Sequence, residues 1–178
     1  FIKILNTFCL LFPSGILPQK LAISELSNSF GLFCEKIQLN NKKEYVVKGK
    51  TTLNKTNDTY DSIFYEGKSL QFLYKHFPDF SPKVYYSSNN ILVIEFIENN
   101  KIKSNNFEQE LAKKIAKIHK LQNKEFGFKY DTPIGGLRQP SAFEASWIDF
   151  YANKRLGMIF ELINLSNPMP KEINIAIE

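Results

Sequence analysis

Cysteine is nearly absent from this 178-residue sequence, with Cys9 and Cys34 the only two. Two isolated thiols among apolar neighbours offer neither a disulfide framework nor a CxxC metal site, which fits a reducing cytoplasm. Glycine is sparse, eight residues in all, so no glycine-rich phosphate fingerprint can be read. A long apolar run is missing too. The hydrophobic opening stretch, residues 1–17, is broken by Lys3, Asn6, Pro13 and Gly15 and is too short to span a bilayer. It also makes a poor signal peptide, with a weak basic start and no small-residue cleavage site. The first residue is not Met, so the start is expected not to be a natural one. Finally, the net charge of +5 is scattered. Without a Lys/Arg stripe, zinc-finger spacing or RNA-binding aromatic signature, neither nucleic acid nor membrane is expected as a partner.

What is present is enough apolar material for a core: 43% of residues are hydrophobic and 14% aromatic. Residues 21–26, 32–39 and 44–50 read as short strands separated by turn-forming stretches at 27–31 and 40–43. A polar loop, 51–59, precedes a helix predicted over 61–77, with Asp58, Thr59 or Asp61 as its N-cap and Pro78 as its stop. Two more strands, 83–87 and 91–97, flank a turn at Ser88–Asn90. The character then becomes helical. Phe107, Leu111, Ile115 and Ile118 form one amphipathic stripe, and an irregular loop follows over 126–140. Ser141 and Glu144 have the spacing of a capping box, predicting a helix that runs to about Ile163. Residues 167–170 break it, and the stretch from Lys171 to Glu178 reads as a helix just beginning.

Three features carry chemistry. The first is Tyr45-Val46-Val47-Lys48. On a strand, Val46 and Lys48 share a face, and in a kinase N-lobe that places an aliphatic group on adenine and an ammonium on the phosphates. Taken alone, a Lys discouraging aggregation at a strand end is the favoured reading, because Lys is common there. The second is Glu66, eighteen residues further on and bordering the apolar face of the helix. A kinase needs a carboxylate there to hold the Lys, although a solvent-facing helix Glu is the plainer alternative. The third is the strand 91–97. An apolar strand entering a polar loop has the form of a kinase hinge, with the backbone C=O of Glu95 and N–H of Ile97 meeting the adenine edge. A buried central strand with an acidic exit would look the same. The 27–31 turn stands where a phosphate-covering loop would lie, with one glycine instead of three.

The second half resembles the fructosamine (ketosamine) kinase family. The resemblance rests on Phe126-Gly127-Phe128, Asp131, Ile134-Gly135, Gln139-Pro140, Trp147, Phe150-Tyr151 and Arg155-Leu156, in order and spacing. Upstream, Ile115-Ala116-Lys117-Ile118-His119, Ser81-Pro82-Lys83-Val84-Tyr85, and Glu66 with Leu70 and Leu73 also match. The resemblance covers about residues 21–178. Three positions depart from the family pattern: Ser69 replaces the helix glycine, and Thr132 and Ser141 replace Asn. The resemblance implies an ATP-dependent phosphotransferase acting on the sugar of ketosamine adducts, small-molecule or protein-linked. It also implies a base Asp in a His-Gly-Asp loop and a later Asp binding Mg2+. Neither segment occurs in the sequence, so the catalytic Asp is expected downstream of Glu178. The chain is accordingly expected to be a part of a longer kinase that cannot itself transfer phosphate.

The expected architecture is α+β and protein-kinase-like. A five-stranded antiparallel N-lobe with one helix is assigned to residues 1–97, a hinge to 98–104, and the beginning of a helical C-lobe to 105–178. Lys48, Glu66, Val46, Ile94, Glu95 and Ile97 are the nucleotide-binding candidates. Asp131, Gln139 and Trp147 are candidates near the acceptor. Trp147, Phe150 and Tyr151 also suit a core, and Arg155 an internal ion pair. His119 suits a hydrogen bond near the core. A related choline or aminoglycoside phosphotransferase, and a non-catalytic nucleotide-binding pseudokinase, remain the alternatives.

Overall fold

The computed structural model describes residues 21–29, 32–50, 62–99, 104–134 and 137–171. They fall into two compact units, one ending at Lys120 and the other beginning at Leu121. The expected polar loop 51–59, the opening residues 1–20 and most of the 98–104 segment lie outside the described residues. So does the expected last helix beyond Lys171, Glu178 included.

In the first unit the described residues form a five-stranded antiparallel sheet. Its strands are β1 (Leu21–Ser29), β2 (Leu32–Leu39), β3 (Glu44–Lys50), β4 (Val84–Ser87) and β5 (Ile91–Glu95), in the spatial order β1-β2-β3-β5-β4. The β2–β3 turn works through local chemistry. Asn41 Oδ1 accepts the Lys43 N–H at 3.1 Å, Lys42 takes a left-handed φ of 63°, and Leu39 N–H donates to Lys43 O at 2.8 Å. β1 runs further than its residue types predict. After an irregularity between Glu25 and Ser27, the polar residues Ser27, Asn28 and Ser29 pair with Cys34, Phe33 and Leu32, because the ladder is made by backbone groups and tolerates polar side chains. Phe30 and Gly31, the rest of the expected phosphate-covering turn, lie outside the described residues. β5 stops at Glu95 instead of reaching Ile97, since Tyr45↔Glu95 is its last register pair with β3.

Strand alternation sends apolar side chains to both faces. Ile37, Tyr45, Val47, Ile91 and Val93 form one buried layer. Val46, Leu92 and Ile94 form the other, joined by Ile63 and Leu70 from helix α1 (Ser62–His76). The helix therefore packs on the Val46–Leu92–Ile94 face. Gly67 permits this close approach: a Cβ there would overlap Ser87 Oγ and lie 3.2 Å from Leu92 Cδ1. Ser69, where the resemblance leads one to expect a helix glycine, instead donates its hydroxyl to Tyr65 O at 2.9 Å, one turn back. Helix α2 (Phe107–His119) carries Glu108 and Glu110 in its first turn and Lys117 and His119 in its last, as the helix dipole favours. Lys114 Nζ ties it to Asp79 O at 3.4 Å. His119 is exposed, which corrects the expected place near the core.

The second unit opens with an irregular stretch and a short hairpin of β6 (Thr132–Ile134) and β7 (Leu137–Gln139). Helix α3 (Trp147–Tyr151) then continues through a π-helical turn (Ala152–Gly157) into α4 (Met158–Ser166). Its N-cap is Ser146, whose Oγ accepts the Asp149 N–H at 3.3 Å. The Ser141–Glu144 pair does not act as a capping box, because its groups are used elsewhere. Ser141 N–H donates to Asp131 Oδ1 at 3.1 Å, and Glu144 makes two reciprocal backbone bonds of 2.8 Å with Phe126. Gly127, between the Phe126 bridge and Phe128, has φ +119°, which favours glycine.

Replacing Gly67 by Ala should lower thermal stability despite a helix-propensity gain of about 1 kcal/mol, since overpacking costs roughly 1–3 kcal/mol. Ser87 Oγ is buried without a hydrogen-bond partner among the described residues. Adding Ser87→Ala should therefore recover part of the loss in a chemical-denaturation series; an unchanged midpoint in Gly67→Ala would contradict the close packing.

Candidate functional site

The register of β3 decides what surrounds Lys48. Its cross-strand partners are Cys34 on β2 and Leu92 on β5, while Val46 stands opposite Lys36 and Ile94. Val46, Lys48, Cys34, Lys36 and Ile94 consequently share the face that α1 covers in part. Ile63 anchors the start of α1 against that face at 1% exposure. Three residues later in the helix, Glu66 lies on the neighbouring row of side chains and points towards β3.

There the two charges meet. Lys48 Nζ donates to Glu66 Oε1 at 2.5 Å, with both side chains about one third exposed. A pair this accessible contributes about 0–1 kcal/mol to stability after solvent screening. Its physical consequence is positional: the ammonium is held at the rim of the apolar layer, where it can take an anionic ligand while retaining its counter-charge.

Beside this pair the surface is apolar. Val46 and Ile94 are buried directly opposite one another at the end of the sheet. Residues 96–99 leave the ladder after Glu95. A reciprocal pair of bonds fixes that exit, with Glu95 N–H donating to Lys83 O at 2.9 Å and Lys83 N–H donating to Glu95 Oε2 at 3.1 Å. Ile97 is 60% exposed. A cation at one end, aliphatic side chains between, and unladdered backbone at the other end can together hold a flat heterocycle carrying phosphates. Among the described residues, no three His, Cys, Asp or Glu side chains gather as a metal cluster.

Residue reasoning missed Cys34 as a member of this site. Its thiol is free and is pushed above its ordinary pKa, first by burial, opposed by the Lys48 charge and reinforced by Glu66 and Glu35. The signal was available in the β2 alternation, but only once the Cys34↔Lys48 register was known.

The remaining candidates lie in the second unit. Asp131 is fully engaged within its own loop: Oδ2 accepts from Arg138 Nε at 2.5 Å and Oδ1 from Ser141 N–H. Gln139 pairs with Thr132 across the hairpin. Trp147 stands at the start of α3 against Phe126, Phe150 and Tyr151, with ring centroids 5.8, 5.8 and 5.4 Å away. Of the aromatic group only Phe150 is buried; Trp147 and Tyr151 are exposed. Arg155, on the π-helical turn, donates to Pro140 O at 2.5 Å and to Ser141 Oγ at 3.4 Å, and its guanidinium lies 4.5 Å from the Phe150 ring centroid. Its hydrogen bonds thus go to two backbone carbonyls, Pro140 O and Lys154 O, and to the Ser141 hydroxyl, while the Asp131 charge acts on it and opposes the lowering of its pKa by burial. The hairpin had a legible mark, the Gly135-Gly136 pair between Ile134 and Leu137, which suits a two-residue turn. Pro133 inside the first strand obscured it. The catalytic Asp expected downstream of Glu178 has no counterpart among these residues, since Glu178 itself lies outside the described ones.

The sequence pattern of the fructosamine kinase family matches residues 32–177. The chain belongs to that family. Among its relatives is the chloroplastic protein-ribulosamine 3-kinase of Arabidopsis thaliana, 37% identical over 73 residues, which are 40% of this chain and 22% of that protein. Candidate fructosamine-3-kinases from Thermobifida fusca and Haemophilus somnus have the same fold. Their TM-scores are 0.70 and 0.72 at 19% and 24% identity, covering 87% and 92% of this chain and 51% and 54% of theirs. The chain thus spans about half the length of these solved relatives, and its fold is the protein-kinase-like α+β arrangement.

The position of Cys34 yields a pH prediction. Folding keeps the thiol protonated, so its contribution to stability is complete below the ordinary thiol pKa and lost as pH rises through the folded value. In a Cys9→Ser background, the iodoacetamide labelling rate should rise with pH around a midpoint above the ordinary thiol value. Glu66→Gln should lower that midpoint and Lys48→Met should raise it; a midpoint unmoved by both would place the thiol away from the pair.

Proposed function

We propose that these residues form the nucleotide-gripping part of an ATP-dependent ketosamine kinase, with residues 1–97 as its N-lobe, 98–104 as the hinge and 105–178 opening its helical C-lobe. The observation that carries this reading is the contact of Lys48 with Glu66 on the same sheet face as Val46 and Ile94. In it, Lys48 binds the phosphates and Glu66 keeps the ammonium directed at them. Val46 and Ile94 enclose the adenine, and the Glu95 carbonyl and Ile97 N–H meet its edge. When bound, ATP supplies the phosphoryl group that is transferred. The residues present suit the nucleotide. Among the described residues, no three His, Cys, Asp or Glu side chains gather where Mg2+ could be held.

Membership of the fructosamine kinase family supports a ketosamine acceptor, a sugar joined to an amine on a small molecule or a protein. Asp131, Gln139 and Trp147 are the acceptor-side candidates. Asp131 acts there by shaping its loop, because both of its oxygens accept hydrogen bonds within the unit. Neither of the two histidines, His76 and His119, is followed by Gly-Asp. Phosphoryl transfer by this mechanism needs a base Asp in such a segment, and the part of it assigned to Lys48, Glu66, Val46 and Ile94 is the binding of ATP. ATP chemistry and two isolated cysteines both suit the cytoplasm. No helix among the described residues is long and apolar enough to cross a membrane.

Isothermal titration with ATP tests the reading. Wild type should bind, and Lys48→Met should bind roughly 10- to 100-fold more weakly, the loss expected for a charge-assisted bond of about 1.5–3 kcal/mol. Glu66→Gln should show a smaller loss in the same direction. A wild type that ignores ATP, or a Lys48→Met variant of equal affinity, would overturn the assignment.

A further inference from the structure

A second cation, Lys36, stands on the same face of the sheet as Lys48, one alternation nearer to the β5 exit. It lies on β2 opposite Val46, one alternation beyond the Cys34↔Lys48 pair. Its ammonium is 3.9 Å from the centroid of the Phe96 ring and 2.8 Å from Glu44 Oε1. Gln38 Nε2 donates to that same carboxylate oxygen at 3.0 Å, so the carboxylate that orients Lys36 is itself held in place.

Phe96 is the first residue beyond β5. The last ladder pair, Tyr45↔Glu95, is just behind it, and residues 96–99 have no strand assignment. Two kinds of contact hold this exit. Glu95 is tied to Lys83 by the reciprocal bonds described above. Phe96 packs against the Val46–Ile94 cluster and receives the Lys36 ammonium over its ring. An aromatic face attracts a cation through its quadrupole, and the attraction grows as the pair loses water. Fixing the ring fixes the backbone on either side of it, because side chain and peptide planes share the Phe96 Cα.

We propose that Lys36 is a positioning residue for the nucleobase, and that the Glu44–Lys36–Phe96 chain orients the Glu95 carbonyl and the Ile97 N–H towards the adenine edge. This rests on the nucleotide reading above and adds a division of labour to it. Lys48 acts on the phosphates, and Lys36 acts on the base without touching it. The proposal also explains why a Lys occupies a position flanked by apolar side chains: its stem covers aliphatic surface while its charge is shared between a ring and a carboxylate.

Calorimetric titration with three probes, adenosine, ADP and inorganic tripolyphosphate, separates the two ends of the site. Lys36→Met should weaken adenosine and ADP about three- to ten-fold, the scale of a partly desolvated cation–π contact, and leave tripolyphosphate unchanged. Lys36→Arg, which keeps both the charge and the ring contact, should restore adenosine binding. Lys48→Met should show the reverse pattern, losing tripolyphosphate and ADP more than adenosine. If wild type binds ADP and Lys36→Met binds adenosine equally well, this inference fails while the nucleotide reading stands. Equal losses of adenosine and tripolyphosphate would also overturn it, since general loosening would then be the cause. If wild type binds no ADP, both fail together. Should Lys36→Met not fold, Glu44→Gln decides: weaker adenosine with unchanged tripolyphosphate supports the chain of contacts, and unchanged adenosine overturns it.

Discussion

The 2.5 Å contact between Lys48 and Glu66 is the constraint that the rest of the first unit serves, yet it is too weak to create itself. A pair one third exposed is worth about 0–1 kcal/mol. Burying Ile63 and Leu92, which bring helix and sheet together, is worth roughly 1.5–3 kcal/mol for each side chain. The apolar packing therefore sets the distance, and the charges occupy the position that packing leaves them. Gly67 is the necessary companion to Glu66. With any larger residue the helix would stand off from Ser87 and Leu92, and the carboxylate would have further to reach.

That ordering of causes explains what could be read from residue types. Strands β2 and β3 were legible to the residue because each alternates and each ends at a turn-forming stretch. Helix α1 was legible because Ile63, Gly67 and Leu70 repeat at helical spacing and Pro78 closes it. The relation between the 48th and 66th side chains could be inferred from a kinase pattern. The physical means of achieving it could not, since Gly67 acquires its role only against Ser87. The family pattern pointed to position 69 for the helix glycine. Ser69 there returns its hydroxyl to the helix backbone, and the close approach is made two residues earlier.

The second unit was less legible because its polar groups make choices that local sequence does not determine. Ser141 and Glu144 have capping-box spacing, but Asp131 takes the Ser141 N–H and Phe126 takes the Glu144 backbone. Competition of this kind is decided by partners ten and eighteen residues away. No window around the motif contains them. Ser146 then becomes the cap by default. The π-helical turn is similarly invisible in a hydrophobic pattern, since a single widened turn changes which residues share a face without altering composition.

Those same long-range choices bear on the departures from the family pattern. Ser141, which stands where the family has Asn, is 2% exposed, and its hydroxyl lies 3.4 Å from the Arg155 guanidinium. Thr132, the other substituted Asn, lies in β6, paired with Gln139. Neither substitution leaves a gap, because Asp131 and Arg155 bind the loop through its backbone at Ser141 N–H and Pro140 O. A loop held by its main chain can change side chains without losing its course. The fold tolerates Thr132 and Ser141 for that reason, since Asp131 and Arg155 hold the backbone at Ser141 N–H and Pro140 O whichever side chains these two positions carry.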